Sequence, residues 1–505
     1  MSQHSRPNIL YIITDQQRYD TIAALGNERI YTPNMDRLVR RGVSFSNAYS
    51  TCPVCVAARY TVRTGCEPPR TRVFTNGVMP PAPGQEETMA ARCGPYLAET
   101  MREHGYRTFG IGKFHTSPWD EELGYECHLY SEEMYHAPEK RRGDHYAAWI
   151  AEQHPQFDFI EMLMGERTEM YYMPQMSPLP AEIGVEAWAS DRAVEQILAE
   201  DDRPYFGFLS FIGPHPPLAP PLPFNRMYNP DSMPTPIKGD LSTDHMDEQI
   251  PWMNYAVYAE NITDEHARIL YSRYYGEISY IDQCLGKVLD AVEQTGQAEN
   301  TLICFVSDHG DHMGDHHAWQ KESFFESSCR IPFLLSWPKH IEAGIVRDDL
   351  VCLTDLFAIA TSAAGHGDVR DGIDVLGMLD AKSPARDQLI GCHGEPGTNE
   401  FKAMLRFENW KYIYLCNGGL EQLFDLQNDP HELTNLAATE AEIASQLKDR
   451  LTKALLEFGP IEAVSDGSLK CLPYRKRPLQ RILQFDGSRG VTGFPVKPSD
   501  VILKE

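Results

Sequence analysis

Cys55 and Arg59 stand four residues apart in the run Cys55-Val56-Ala57-Ala58-Arg59, which leads on to Thr64-Gly65. A helix that starts near Cys55 and stops at Gly65 puts the cysteine at its N-terminus and the guanidinium one turn on. Helix dipole and arginine charge then both favour an anion at that end. Two further pairs could act beside it. Asp15-Gln16 and Asp308-His309 together carry two carboxylates, an amide and an imidazole. Such donors suit a hard divalent cation, Ca²⁺, Mg²⁺ or Mn²⁺, and the imidazole moves the preference toward Mn²⁺. Taken singly, either pair reads as turn polarity, and a cysteine is most often a small buried hydrophobe.

This chemistry needs residues distant in sequence brought together, and the hydrophobic pattern supplies a way. Asn8–Thr14 is a continuous apolar, β-branched run, the mark of a buried parallel strand, and it ends at Asp15. A strand over 107–111 ends at Gly112-Lys113-Phe114-His115, and one over 205–211 at Gly213-Pro214-His215-Pro216. A strand over 301–306 runs into Ser307-Asp308-His309-Gly310. Helices are predicted over 35–41, capped by Thr32-Pro33-Asn34, and over 95–104, 186–199 and 267–293. Strands alternating with long helices predict an α/β fold, a large mainly parallel sheet sandwiched by helices. In open sheets of this kind the site lies outside the carboxyl ends of the strands. Four polar strand ends therefore belong to one site.

Near residue 380 the texture changes. Short strands over 388–393, 401–407, 411–415 and 421–425, then a helix over 440–458, predict a smaller C-terminal antiparallel subdomain. The chain divides into 1–380, 381–460 and a tail, 461–505, carrying Tyr474-Arg475-Lys476-Arg477. That tail packs either on its own domain, beside the site, or on a neighbouring subunit of a homo-oligomer.

The bulk composition narrows the partners. At 505 residues, with 42% hydrophobic and 23% charged side chains, the chain is of globular type. A formal net charge of −26 argues against nucleic acid as a partner. No apolar run approaches the roughly 20 residues that cross a bilayer, so no membrane association is expected. The N-terminus lacks the basic and apolar regions of a secretory signal, which makes a cytoplasmic location the expectation. Twelve cysteines scattered over the chain read mostly as buried reduced thiols.

The chain resembles the type I sulfatases of the alkaline-phosphatase superfamily. The likeness rests on Pro7-Asn8-Ile9-Leu10 with Asp15-Gln16, Thr32-Pro33-Asn34-Met35-Asp36, Pro53-Val54-Cys55 to Arg59, and Thr64-Gly65. It continues through Gly112-Lys113-Phe114-His115, Pro214-His215-Pro216-Pro217, Ser307-Asp308-His309-Gly310, Lys321 and Phe325-Glu326. Leu423-Phe424-Asp425-Leu426 with Asp429-Pro430 and Thr434-Asn435-Leu436 matches the family's C-terminal part. The resemblance implies that Cys55 is oxidised to Cα-formylglycine by a formylglycine-generating enzyme and that its hydrate is the nucleophile, stabilised by Arg59. The chain departs from the family's Cys-x-Pro-x-Arg motif at Ala57, where the motif has Pro, and Ala58 stands where Ser is frequent.

By the same resemblance Asp15, Gln16, Asp308 and His309 hold one Ca²⁺ or Mn²⁺ together with modified Cys55. Lys113, His215 and Lys321 surround the sulfate; His215 is the general acid with Lys321 assisting, and His115 acts on the second hydroxyl of the hydrate. Asn76 and Trp319 are expected to face the substrate, a small-molecule or saccharide sulfate ester. The run Asp311, His312, Asp315, His316 and His317 is read as supporting the ligands or as solvated. A phosphonate monoester or phosphodiester hydrolase on the same scaffold is the alternative; the Lys113-x-His115 pair favours the sulfatase. A phosphatase with a Ser or Thr nucleophile conflicts with Cys55, and an inactive ligand-binding relative requires Cys55 to stay a thiol.

Overall fold

A computed structural model describes residues 6–132, 143–157 and 171–481. Its main sheet has eight strands: β1 (Asn8–Thr14), β2 (Val43–Tyr49), β3 (Arg107–Gly112), β4 (Cys127–Tyr130), β5 (Tyr205–Ser210), β6 (Thr301–Ser307), β7 (Phe333–Ser336) and β8 (Ile345–Cys352). Their order is β4-β3-β5-β1-β6-β7-β2-β8. Only β7 runs against its neighbours, being antiparallel to both β6 and β2. The mainly parallel sheet expected from the sequence is therefore present.

The central strand explains why the sheet is covered twice. Along β1, Leu10 and Ile12 enter one core cluster, with Leu38, Trp188 and Leu270 of the helices Pro33–Arg41, Val185–Leu198 and Asp264–Gln294. Ile9, Tyr11 and Ile13 enter the other, with Val62, Met101 and Leu356 of Cys55–Thr64, Leu97–Glu103 and Asp355–Ala363. Alternate residues of a strand face opposite sides, so an unbroken apolar run requires a helix layer on each.

One expected cap is made differently. Thr32 precedes the Pro33–Arg41 helix, but its side chain does not cap it. The free N–H groups of Asn34 and Met35 donate instead to the carboxylate of Asp282, at 3.1 and 2.7 Å, from the helix packed across it. At the end of β3, Gly112 has φ of 101°, and a Cβ there would lie 1.8 Å from the Ser210 carbonyl oxygen. Glycine is what lets Lys113 N–H reach that oxygen, at 3.0 Å.

The second sheet is antiparallel, β9 (Gln388–His393), β10 (Lys402–Phe407), β11 (Trp410–Leu415) and β12 (Leu420–Asp425) in the order β12-β11-β10-β9, and the helix Ala441–Phe458 follows it. One face of it meets loops of the eight-stranded sheet. There the buried Lys411 ammonium pairs with Glu326 at 2.6 Å and Glu432 at 2.8 Å and donates to the Phe324 carbonyl at 2.7 Å. The described part of the tail packs on its own chain. Arg475 N–H donates to Asn417 at 2.8 Å, Arg477 stacks over Trp252 at 3.7 Å, and Arg481 over Tyr255 at 3.7 Å. All twelve cysteines are free thiols, and most are buried. No helix among the described residues is long and apolar enough to cross a membrane.

Two consequences can be measured. Removing the cation from a buried, paired site leaves its carboxylates uncompensated, so Lys411→Met is expected to cost about 3–5 kcal/mol in chemical denaturation. Glu67, which follows the Cys55–Thr64 helix, accepts from Thr51 at 2.6 Å, and burial pushes its carboxyl up to about 7. A folded-state pKa above the ordinary 4.5 means that its contribution to stability is complete below that value and is lost as pH rises through about 7. Glu67→Gln, which stays neutral, is therefore expected to gain urea stability over wild type progressively between about pH 5 and pH 8.

Candidate active site

The strands β3, β5, β1 and β6 are consecutive in the sheet, so their carboxyl ends form a row. Neighbouring strands lie about 4.8 Å apart, which brings residues from four distant parts of the chain within side-chain reach. The backbone continues the row past the strands: Asp15 N–H donates to Gly213 O at 3.2 Å and Asp308 N–H to Thr14 O at 3.2 Å. Along it stand Lys113, Ser210 with His215, Asp15 with Gln16, and Asp308 with His309.

The Cys55–Thr64 helix begins and ends where the sequence places it, with Gly65 at φ 64° as its stop. Its first residue points at the row. Cys55 Sγ lies 3.1 Å from His309 Nε2 and 3.7 Å from Asp15 Oδ1. Among the described residues, Asp15, Cys55, Asp308 and His309 bring their ligand atoms within 4.8 Å of one another, and all four are buried. His309 Nδ1 faces the Gly310 carbonyl at 3.0 Å, an acceptor only, so Nδ1 carries the proton and Nε2 offers its lone pair inward. Burial holds His309 well below the usual histidine range, with Lys321 adding to the effect, so the ring is neutral. Two carboxylates and a neutral imidazole fit a divalent ion.

Arg59 binds the two carboxylates together. Its Nη2 lies 3.0 Å from Asp15 Oδ2 and its Nε 3.0 Å from Asp308 Oδ2, while Nη1 donates to Lys113 O at 2.6 Å and Ser210 Oγ at 2.8 Å. The sequence assigned Arg59 to the hydrate; its contacts here are with the ligand carboxylates and two strand ends. Lys113 Nζ is 2.7 Å from Asp15 Oδ2. Burial alone would raise Asp15, but Lys113, with His215 and Arg59 adding to it, carries it well below the usual carboxylate range. Asp308 goes the other way, pushed up to about 7 by burial and by the charge of Asp15. Burial pushes the Cys55 thiol above its ordinary value, Asp15 adds to this, and Lys321 and Lys113 oppose it. A thiol so placed is a poor nucleophile.

The remaining expected residues divide. Gln16 turns its amide between two partners, accepting from Lys321 Nζ at 2.6 Å and donating to Asp311 Oδ2 at 2.6 Å. His215 is buried with Nδ1 at 2.6 Å from the Pro216 carbonyl, an acceptor only, so Nδ1 carries a proton. His115 is half-buried, at φ 49°, and its N–H donates to Glu132 at 2.7 Å. Asn76 is exposed, and its oxygen accepts from Val56 N–H at 3.3 Å, so it caps the helix that carries Cys55. Trp319 is buried against Tyr172 with ring centroids 4.7 Å apart and belongs to the core cluster. The acidic and histidine run is not solvated either: Asp311, His312, Asp315 and His316 are all buried, His312 between Ser323 and Ser327 and His316 against Asp244.

Sequence reasoning missed Ser210, Glu132 and Tyr172. Glu132 accepts from Phe114 N–H at 2.8 Å as well as from His115, so it shapes the Lys113–His115 turn. Tyr172 donates to Asp311 at 2.6 Å. None carries a local signal, because each gains its role only where its element crosses the row.

A family model described as Sulfatase matches residues 7–366. The chain belongs to the sulfatase family. A second model, the C-terminal part of N-sulphoglucosamine sulphohydrolase, matches residues 314–457 and so covers the antiparallel sheet and most of its helix. An arylsulfatase of Clostridium perfringens is 28% identical over 94% of this chain and 100% of its own length. A choline-sulfatase of Rhizobium meliloti is 29% identical over 86% of this chain and 82% of its own. The phosphonate monoester hydrolase of Agrobacterium radiobacter shares the fold, with a TM-score of 0.74 at 24% identity over 94% of this chain and 100% of that one. The protein is thus a sulfatase-family enzyme, and its buried cluster lies within the matched region.

If Arg59 offsets the repulsion between Asp15 and Asp308, losing it leaves them dependent on a bound cation. Arg59→Met is expected to melt lower than wild type after chelation, and added Mn²⁺ should raise its melting temperature more than it raises that of wild type.

Proposed function

We propose that the enzyme hydrolyses a sulfate monoester through a formylglycine made from Cys55, with one Ca²⁺ or Mn²⁺ held by Asp15, Gln16, Asp308 and His309. The observation that carries the reading is the position of Cys55: the first residue of a helix, 3.1 Å from His309 and 3.7 Å from Asp15, with its thiol held protonated. Unmodified, that side chain has little to offer as a nucleophile; an oxygen in its place has a helix N-terminus and a cation site to stabilise its negative charge. The ion supplies Lewis acidity, and the hydrated aldehyde supplies the attacking oxygen.

The chain's own residues do the rest. Lys113 and Lys321 set two ammonium groups beside the cluster, where they neutralise charge spreading over the sulfate oxygens in the transition state. Both are buried, so this charge acts at short range in a medium less polar than water. His215, fixed by its Nδ1–H to the Pro216 carbonyl, presents Nε2 and, as the imidazolium, hands a proton from that atom to the departing alcohol. His115, held at its turn by Glu132, takes the proton whose removal returns Cys55's derivative to the aldehyde. Arg59 keeps the carboxylates in register throughout.

The substrate class is a small-molecule or saccharide sulfate ester, and the maturation partner is a formylglycine-generating enzyme. The charged Lys113-x-His115 pair supports sulfate over phosphonate as the substrate. The test compares sulfate monoesters with phosphonate monoesters and phosphodiesters, with Ca²⁺ and Mn²⁺, alongside mass spectrometry of the Cys55 peptide. Expected are loss of the sulfur mass, preference for sulfate, and a fall of about 10⁴-fold or more in kcat for Cys55→Ala. An intact thiol in fully active enzyme, or undiminished turnover by Cys55→Ala, overturns the proposal.

A further inference from the structure

We infer that Asp311 is a positioning residue: it fixes the Gln16 side-chain amide with its oxygen toward Lys321 and the cation site. The inference rests on the reading of Asp15, Gln16, Asp308 and His309 as that site and assigns a role to a residue outside it.

Gln16 is held at every other point. Its φ is 67°, in the left-handed region that disfavours a side chain. Its N–H donates to Asp308 Oδ1 at 3.1 Å and its carbonyl accepts from Tyr274 at 2.7 Å. What remains free is the choice between two orientations of the amide, which differ only in exchanging oxygen for NH₂. On one side, 2.6 Å away, is Lys321 Nζ, which only donates. On the other, also at 2.6 Å, is Asp311 Oδ2, which as a carboxylate only accepts. One orientation makes two charge-assisted hydrogen bonds; the other makes two repulsive contacts between buried groups. Gln320 Oε1, 3.3 Å from Gln16 Nε2, favours the same orientation.

Asp311 is itself over-determined. Its Oδ1 accepts from Met313 N–H at 2.8 Å. Its Oδ2 accepts from Tyr172, at 2.6 Å, as well as from Gln16. The Tyr172 oxygen already accepts Gln320 N–H at 2.9 Å, so its own proton is directed at Asp311. Every neighbour of this carboxylate therefore requires an acceptor, and the result is passed to Gln16 as a fixed direction. Lys321, the beneficiary on the far side, is the cation whose charge bears on both Cys55 and His309.

The logic specifies its own test, a two-residue cycle read by calorimetric Mn²⁺ binding and by kcat/KM. In Asp311→Asn, Met313 N–H keeps an oxygen at the Oδ1 position, so the new NH₂ faces Gln16 and turns its amide over. Mn²⁺ affinity is expected to fall about 10–100-fold, the range for losing the partner that orients a ligand, with little change in the circular dichroism spectrum. Gln16→Glu alone sets two carboxylates against each other and is expected to weaken binding, although it adds negative charge beside the cation. Together the two changes restore a donor facing an acceptor at the same total charge, and affinity is expected to return to within about threefold of wild type. Wild-type-like affinity in Asp311→Asn, or simple additivity in the double variant, overturns the inference alone. If Asp311→Asn does not fold, tighter binding by Gln16→Glu overturns it by itself. A wild-type protein that takes up neither Mn²⁺ nor Ca²⁺ overturns both the inference and the site reading beneath it; if it takes up Ca²⁺ alone, the same cycle is read with Ca²⁺.

Discussion

Two carboxylates buried side by side, Asp15 and Asp308, repel each other, and much of the surrounding architecture offsets that repulsion. Their strands are neighbours, so the sheet itself forces the approach. Arg59 answers with a guanidinium that touches both, and Lys113 adds a second cation on the Asp15 side. The asymmetry has a consequence for the pair. With the cations concentrated on Asp15, that group is held ionised, and Asp308 absorbs the cost as a raised pKa. Asp15, Cys55, Asp308 and His309 together could hold a divalent ion, whose charge would offset the repulsion that remains.

The same constraint accounts for the position of the Cys55–Thr64 helix. Arg59 can bridge the carboxylates only if its helix enters over the strand ends, and the residue one turn earlier then lands among the ligand atoms. Cys55 and Arg59 are therefore coupled through one rigid element: the helix that delivers the Cys55 side chain also delivers the charge that keeps its surroundings bound together. The spacing between them is a geometric requirement of 3.6 residues per turn.

Around this centre the antiparallel sheet holds the loop that presents Lys321. Lys411 anchors Phe324 and Glu326, and Lys402 of the adjacent strand contacts Asp247 and the Glu322 carbonyl. Residues 320–326 are thus gripped from the second sheet on one side and from Gln16 and Tyr172 on the other. The tail extends this grip, since Arg477 reaches Gln249, which in turn donates to Glu322. Subdomain and tail serve the site by restricting one loop.

What the sequence by itself determined was everything set by local periodicity and by strand-end chemistry. The apolar run of β1, the helix from Cys55 to Gly65, the four short strands after residue 387 and the polar strand tips could all be read from spacing alone, and so could the grouping of Asp15 with Asp308 and His309; that Cys55 joins them came only from the family resemblance. Tertiary structure alone decided how those groups are shared. Nothing near Arg59 in sequence says that it spans two carboxylates, nor does anything near Asp311 say that it directs Gln16. The cap expected of Thr32 is made by Asp282, and Trp319, expected to face the substrate, packs against Tyr172 in the core cluster, because both outcomes depend on which element crosses at that point. β7 escaped notice because a four-residue antiparallel strand needs no crossover helix to announce it. Periodicity encodes which way a residue faces; its partner comes from the crossing of elements far apart in the chain, and the roles of buried polar groups depend on partners.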